Sequence, residues 1–423
     1  MTTAAAPYTR EHFERLEDER LAVYACRSAH AERPYGPVAS SPADARTNYA
    51  RDRDRIIHSR AFRRLKHKTQ VFIPYEGDHF RTRLTHTIEV SQIARSVARS
   101  LGLNEDLTEA VALGHDLGHT PFGHSGEYVL DRLLRESHPQ AGGFKHNFQS
   151  VRVVDRLEKR YEEPGLNLTH DVREGMLKHT AWPRDFPFPL DFYEGLRPES
   201  GGSLEAQAVN WSDEIAQQTH DLEDGLPLTE ESATEELAIA RLVRASRGWG
   251  SDPASRRASL IRGMIATLSA DLVEGSRVRI ERWLESAGIR TPGDFAAQRG
   301  RLPGDLVGFT ETGRKLYAEL REFVYRHIIH SFPVSRHDGH ARRVLAGLFG
   351  AYRDNPRLLP DDVLRTLERE LGVRFLRAVT LAEVEHEARA YRARPEFFRT
   401  IADHIAGMTD SYCNSEYHAL VVE

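Results

Sequence analysis

The sequence has few cysteines, only Cys26 and Cys413 in 423 residues, and they lie at opposite ends. Two distant thiols cannot build a disulfide framework or a Cys-x-x-Cys zinc site, and they fit a reducing compartment. No apolar run approaches the ~18 residues that a membrane-spanning helix needs. The first residues, Met1 to Pro7, lack the basic and apolar regions of a signal peptide. A cytoplasmic protein is therefore expected. Charge of one sign is lacking too: 58 Lys and Arg against 63 Asp and Glu leave a net charge of -5. That balance gives no global pull towards nucleic acid or anionic lipid. No internal repeat is present.

What the sequence does have is histidine, 21 in all, concentrated in Ala112–Glu127. This stretch carries His115, Asp116, His119, His124 and Glu127 between glycines and Pro121. Its first half follows a helical apolar pattern through Leu107, Ala110, Val111 and Gly114. His115 and Asp116 come at the end of that helix, about 100° apart around its axis, so one ion can sit in the wedge between them. His119 falls one turn after His115. Pro121 then stops the helix and Gly123 lets the chain turn back, which brings His124 and Glu127 from another side.

An adjacent His-Asp pair by itself is commonly a capping or surface feature. Asp78-His79 and His337-Asp338 are read that way. Here the pair gains an upstream imidazole, His86, in the dense polar helix start Thr82–Val90. It also gains a downstream carboxylate, Asp213, on the amphipathic run Glu205–Ala216. Two imidazoles and two carboxylates suit a divalent ion of intermediate hardness, Mn or Mg first and Fe, Co, Ni or Zn after them, better than a closed thiolate site.

The remaining pattern is helical throughout, so an all-α fold is expected. An outer helix spans 11–29, and a basic helix runs from about 49 to 68 with Arg63 and Arg64 on it. Gln70 begins a short extended stretch to Pro74. Further helices cover 83–101, a segment from His146, 169–182 with Lys178, and the Asp213 segment, with a Pro- and Gly-rich loop at 183–202. The C-terminal half reads as helices over 235–246, 255–273, 313–330, 339–352 and 361–371, punctuated by Pro253, Gly275, Pro292, Pro303 and Pro333. The expected organisation is an N-terminal tail and outer helix (1–48), a metal-binding core (49–225) and a helical region completing core, pocket and subunit interface (226–423). Arg256-Arg257 and Arg342-Arg343 are read as solvated faces before nucleic-acid or effector sites.

Several longer strings narrow the reading: Arg53–Ser59, Ala61–Leu65, Lys68–Phe72, Gly77–Thr87, the histidine-rich stretch and Phe144–Ser150. Together they resemble the HD-domain metal-dependent phosphohydrolases, and among them the deoxyguanosine triphosphate triphosphohydrolase-like dNTPases. The close match covers about 51–225, with a weaker echo at Ile405–Asp410. The resemblance implies an HD-type helical core with added C-terminal helices. It also implies metal ligation by His86, His115, Asp116 and Asp213, and attack at the α-phosphorus that releases a deoxynucleoside and inorganic triphosphate.

Arg83, three residues before His86, is expected to hold a phosphate oxygen, with Arg63 or Arg64 as further phosphate contacts. His124 supported by Glu127 is the expected acid/base pair; His119 and His146 are alternatives for the leaving group or the α-phosphate. By resemblance Gln70 contacts sugar or base and Asp221 accepts from the 3′-hydroxyl; Lys178 is a further candidate phosphate contact. Gln217 departs from the family, where a tyrosine often screens the sugar 2′-position, so discrimination against ribonucleotides is open. Ser411 likewise stands where an arginine is common. The resemblance also allows homo-oligomers and a nucleotide effector. Two other classes stay open: an HD phosphohydrolase acting on monophosphates or (p)ppGpp, and a non-catalytic sensor of nucleotide or nucleic acid.

Overall fold

The computed structural model describes residues 8–38, 44–70, 81–182, 186–187, 195–197, 199–229, 234–246 and 252–422. The expected extended run beyond Gln70, the Asp78-His79 pair and parts of the 183–202 loop lie outside these residues. The described chain is helical, with α1 (Arg10–Arg20), α2 (Asn48–Ile57), α3 (Arg60–Arg64), α4 (Arg83–Ser100), α5 (Glu105–Gly114), α6 (Gly123–Ser137), α7 (His146–Arg152), α8 (His170–Lys178) and α9 (Leu204–Gly225) forming the first half. The second half holds α10 (Ala238–Ser246), α11 (Pro253–Ala287), α12 (Pro292–Gln298), α13 (Glu311–Val324), α14 (Phe332–Asp354), α15 (Asp361–Leu371), α16 (Leu381–Arg392), α17 (Pro395–Ala406) and α18 (Asp410–Leu420). Only isolated bridges, and no sheet, occur among the described residues. None of the described helices is long and apolar enough to cross a membrane.

Helix α4 is the central post. Thr82 caps it in a reciprocal box with Thr85. Val90, Ile93, Ala94 and Val97 are buried at helical spacing, a stripe that packs on α5 and α9. Asn104 caps α5, its side chain accepting from Leu107 N at 3.1 Å. Ser203 caps the long α9. These three helices carry His86, the approach to His115 and Asp116, and Asp213.

The expected basic helix is broken. α2 ends at Ile57, Ser59 caps α3, and a 3-10 turn follows at Leu65–His67. Gly275 does not interrupt its helix either. α11 runs through it because the backbone of 308–310 crosses there, with Gly308 O 2.4 Å from where a Cβ would stand. Pro333 sits in the first turn of α14, where its missing N–H costs nothing.

Two apolar clusters form the core. The larger gathers α2, α4, α5, α8, α9 and α10–α13. The smaller joins α6 to α14, α15 and α17, with Val129, Leu130 and Leu134 against Leu345, Leu348 and Phe349. Polar bonds stitch the two together. Asp410, at the start of α18, accepts from Thr69 N at 2.8 Å and from Phe122 N at 3.1 Å. Arg152 grips Asp403 with two nitrogens, at 2.9 and 2.7 Å.

Candidate active site

The end of α5 is tighter than the sequence pattern suggested. The helix stops at Gly114, and His115 to Thr120 form turns in which Leu117 N and His119 N donate three residues back. His115, Asp116 and His119 therefore fan out from a turn rather than sharing one helical face. Phe122 has a positive φ of 63°, uncommon for a bulky residue. Burial in the smaller core and the Asp410 bond hold it there. The result is an abrupt start to α6 that aims His124 and Glu127 back at the turn.

Four side chains converge as expected. His86 Nε2 is 2.9 Å from Asp213 Oδ1, and His115 Nε2 is 3.3 Å from Asp116 Oδ1 and 3.6 Å from Asp213 Oδ1. Neighbouring ligands on one ion with bonds of about 2.0–2.2 Å stand roughly 3–3.5 Å apart, so these edges fit a cation. The donor set fits as well. His115 Nδ1 donates to Ala112 O at 2.6 Å, and its Nε2 is buried with no hydrogen-bond partner among the described residues. His86 Nδ1 faces His220 Nδ1 at 3.4 Å, and His220 Nε2 reaches Glu89 at 3.2 Å. Each imidazole thus has its far nitrogen fixed from behind, as metal-binding histidines do.

The electrostatics ask for positive charge. Burial alone would raise the Asp116 carboxyl, but His115, His119 and Arg83 hold it well below the usual range. Burial works against a proton on His115, yet Asp116 and Asp213 outweigh it and lift the imidazole to about 9.

A second group adjoins the first. His119 Nε2 lies 3.1 Å from Asp116 Oδ1, and its ring stacks on His146 at 4.0 Å between centroids. Burial, with Arg83 and His146, pushes His119 well down, so it is neutral. Glu127 does not support His124 as expected. Its Oε2 accepts from His146 Nδ1 at 2.5 Å and from His146 N at 3.2 Å. The reason is chain direction: α7 begins at His146 and presents both groups to the carboxylate. His124 lies near Glu127 and is exposed. Desolvation by the protein atoms around its ring, with Arg83 and His146, lowers its pKa against the pull of Glu127.

Arg83 is fully buried and gives Nη1 to Asp116 Oδ2 at 2.9 Å, while Nε and Nη2 have no hydrogen-bond partner among the described residues. Buried orphan donors beside a cation-shaped cluster are poised for an anion. Gly123 makes room for them, since a Cβ there would stand 3.1 Å from Arg83 Nη2. Gln70 is half-buried close by, its Oε1 also without a hydrogen-bond partner among the described residues, and its backbone O borders the same glycine. Gln217 and Asp221 follow Asp213 along α9. Burial and Asp224 push the Asp221 carboxyl well above the carboxylate range.

Three expected phosphate contacts are placed elsewhere. Arg63 is exposed. Arg64 lines a separate cavity of about 310 Å³ behind Leu117 and Gly118. Lys178 is tied to Glu174 at 2.6 Å and to the Arg197 carbonyl. The breaks at Ser59 and in the Leu65–His67 turn rotate the arginines away, and Glu174, one turn before Lys178, claims the ammonium. Four contributors were not singled out in the sequence: Glu89, His179, His220 and Lys68. His220 had a signal, seven residues and two turns after Asp213. Lys68, which donates to His119 O at 2.5 Å, had none.

The pattern that defines the HD domain matches residues 83–218, and the phosphohydrolase-associated domain matches 307–419. Over 388 residues the chain is 43% identical to a deoxyguanosinetriphosphate triphosphohydrolase-like protein of Bordetella pertussis, covering 90% of this chain and 91% of that one. A relative of the same description in Thiobacillus denitrificans is 40% identical over 407 residues, covering 94% and 97%. One in Brucella suis is 42% identical over 420 residues, covering 94% and 95%. With likeness of this depth running nearly end to end, the chain belongs to the deoxyguanosinetriphosphate triphosphohydrolase-like family of HD-domain proteins.

Proposed function

We propose that the protein hydrolyses deoxynucleoside triphosphates to a deoxynucleoside and inorganic triphosphate, using a divalent ion, Mn or Mg, held by His86, His115, Asp116 and Asp213. The observation that carries this reading is Arg83, whose guanidinium binds Asp116 with one nitrogen and has two buried donors without a hydrogen-bond partner among the described residues. Metal ligand and anion receptor are thereby one rigid unit. The bound cation would supply Lewis-acid polarisation of a phosphoryl oxygen. Arg83 offsets the charge that builds on the phosphate in the transition state. Water adds to the α-phosphorus and gives up one proton to solvent, the P–O5′ bond breaks, and the leaving O5′ takes a proton from His124 in its imidazolium form, the minor but more acidic form near neutral pH because its pKa is lowered. An imidazole that solvent can reach is able to recover that proton between turnovers. His119, stacked on His146 with its Nε2 towards Asp116, borders the α-phosphate. Asp221 and Gln217 flank the sugar along α9, and Gln70 closes the Arg83 side.

Anion-exchange analysis of products from each dNTP and NTP, with Mn or Mg and beside Asp116→Ala, tests this. Deoxynucleoside plus triphosphate, absent from the variant, supports the reading and reveals base and sugar preference. Monophosphate plus pyrophosphate would overturn the cleavage position and favour an HD phosphohydrolase of another nucleotide class.

A further inference from the structure

We propose that the cavity of about 310 Å³ behind the histidine-rich turn binds a small inorganic oligophosphate, a di- or triphosphate that carries no base. Its walls come from both cores: α3, Leu117 and Gly118 of the turn, the segment after α7, α15 and the end of α17. Among the described residues that line it, seven bear an ammonium or guanidinium and four a carboxylate. Three of the carboxylates already have partners. Asp403 takes Arg152 at 2.7 Å, Glu158 Oε1 accepts from Ala61 N at 2.7 Å, and Glu370 lies 3.7 Å from Arg369. Of the ammonium groups, Lys68 is engaged by the carbonyls of His119 and Ala406, and Lys159 donates to Thr366 Oγ1 at 3.4 Å. Arg60 and Arg64 line the cavity and make no ion pair among the described residues. Positive charge on this wall is therefore unbalanced.

The Arg64 guanidinium reaches the end of α17, where a Cβ on Gly407 would stand 3.2 Å from its Nη1. Desolvation by the protein atoms around it, with Arg60 and Arg63, lowers its pKa against the pull of Glu158. Cations crowded in this way are relieved by a multiply charged anion. His404 lines the same cavity, and its Nε2 is buried with no hydrogen-bond partner among the described residues. A buried nitrogen of that kind calls for a ligand or a water. Size and lining then set the class of ligand. Ligand pockets run from about 300 to 1,000 Å³, so this one is small. The His404 imidazole is the only ring among the described lining residues, which leaves no platform for a base to stack on. Guanidinium groups, by contrast, match phosphate oxygens in charge and geometry. Lys68 ties the cavity to the turn, because its Nζ joins His119 O to Ala406 O. An anion held here braces the back of Gly118 and draws the two cores together.

The site needs neither the metal nor the reaction proposed above, so its failure and theirs are separable. The test uses the full chain, stripped with chelator and exchanged into phosphate-free buffer. Inorganic triphosphate is titrated in by isothermal calorimetry, beside the double variant R60S/R64S. Binding is expected, weakened about 10-fold or more in the variant. Unchanged affinity in the variant puts the anion elsewhere, such as at Arg83, and overturns the rear site; so does the absence of binding. A deoxynucleoside triphosphate that binds more tightly than inorganic triphosphate, and loses affinity in the variant, overturns the base-free class. Hydrogen exchange on the unmodified chain decides the place even if the variant fails to fold. Triphosphate should slow amides within 60–68 and 400–408. Slowing confined to 83–86 and 115–127 overturns the proposal.

Discussion

His220 stands directly behind His86: their Nδ1 atoms are 3.4 Å apart, and His220 Nε2 points to Glu89 at 3.2 Å. The carboxylate accepts the proton of His220, whose other nitrogen accepts that of His86. His86 Nε2 is left as a lone pair facing Asp213. His220→Ala removes that control without touching a ligand. Mn affinity is expected to fall about 10–100-fold, as for other residues that orient a metal-binding imidazole. Competition with a fluorescent chelator measures it, and an unchanged affinity would show that His220 is only packing.

Arg83 is expected to be irreplaceable by lysine. One of its nitrogens serves Asp116 and, in the proposed function, the others serve an anion, a division a single ammonium cannot reproduce. Arg83→Lys should lose about 100- to 1,000-fold in kcat/KM with Mn still bound. A lysine variant that turns over dNTPs like the parent would remove Arg83 from phosphate binding.

Lys68 makes stability depend on pH. Burial, with Arg64, brings its ammonium down from 10.5 to about 7, and Nζ donates to His119 O and to Ala406 O. Between about pH 7 and 10.5 the unfolded chain keeps this proton and the folded chain releases it. The unfolded state binds more protons, so this group's contribution to stability rises with pH across that window, by up to about 1.4 kcal/mol per unit. Below about pH 7 both states are charged and the contribution is flat. Urea unfolding at several pH values should show a steeper climb for the parent than for Lys68→Met. Parallel profiles would mean the amine stays charged in the fold.

Gly118 lies where α7 presses on the histidine-rich turn. A Cβ there would stand 2.1 Å from Ser150 N and 2.3 Å from His146 O, both backbone atoms that cannot step aside. Gly118→Ala should cost about 3 kcal/mol or more and weaken Mn binding. Gly300→Ala is the control, since nothing lies within 4 Å of its added carbon. Thermal melts of the two variants compare them, and equal melting temperatures would show that α7 can retreat.

How far the site was legible follows from chain distance. His115, Asp116 and His119 sit within five residues, so local geometry alone brought them together. His86 and Asp213 were readable because each lies on a strongly patterned helix that the larger core clamps against α5. Arg63 and Arg64 could not be aimed from the sequence, because periodicity says which residues share a face, not which way that face points. Two residues at 58–59 break the expected helix ahead of them. Gly275 misled in the opposite sense, since its value is space for the crossing backbone at 308–310, contributed by a distant segment.

The sequence alone determined that the chain is helical, that a divalent ion suits its histidines and aspartates, and which family it joins. Those follow from residue type and short-range spacing, which act within a few turns of one helix. The tertiary structure decided the partners: Glu127 with His146 rather than His124, His220 behind His86, His179 facing His146, and α6 in the second core. Each joins segments far apart in the chain. Their meeting is fixed by how the helices pack, a property of the whole core that no local pattern encodes.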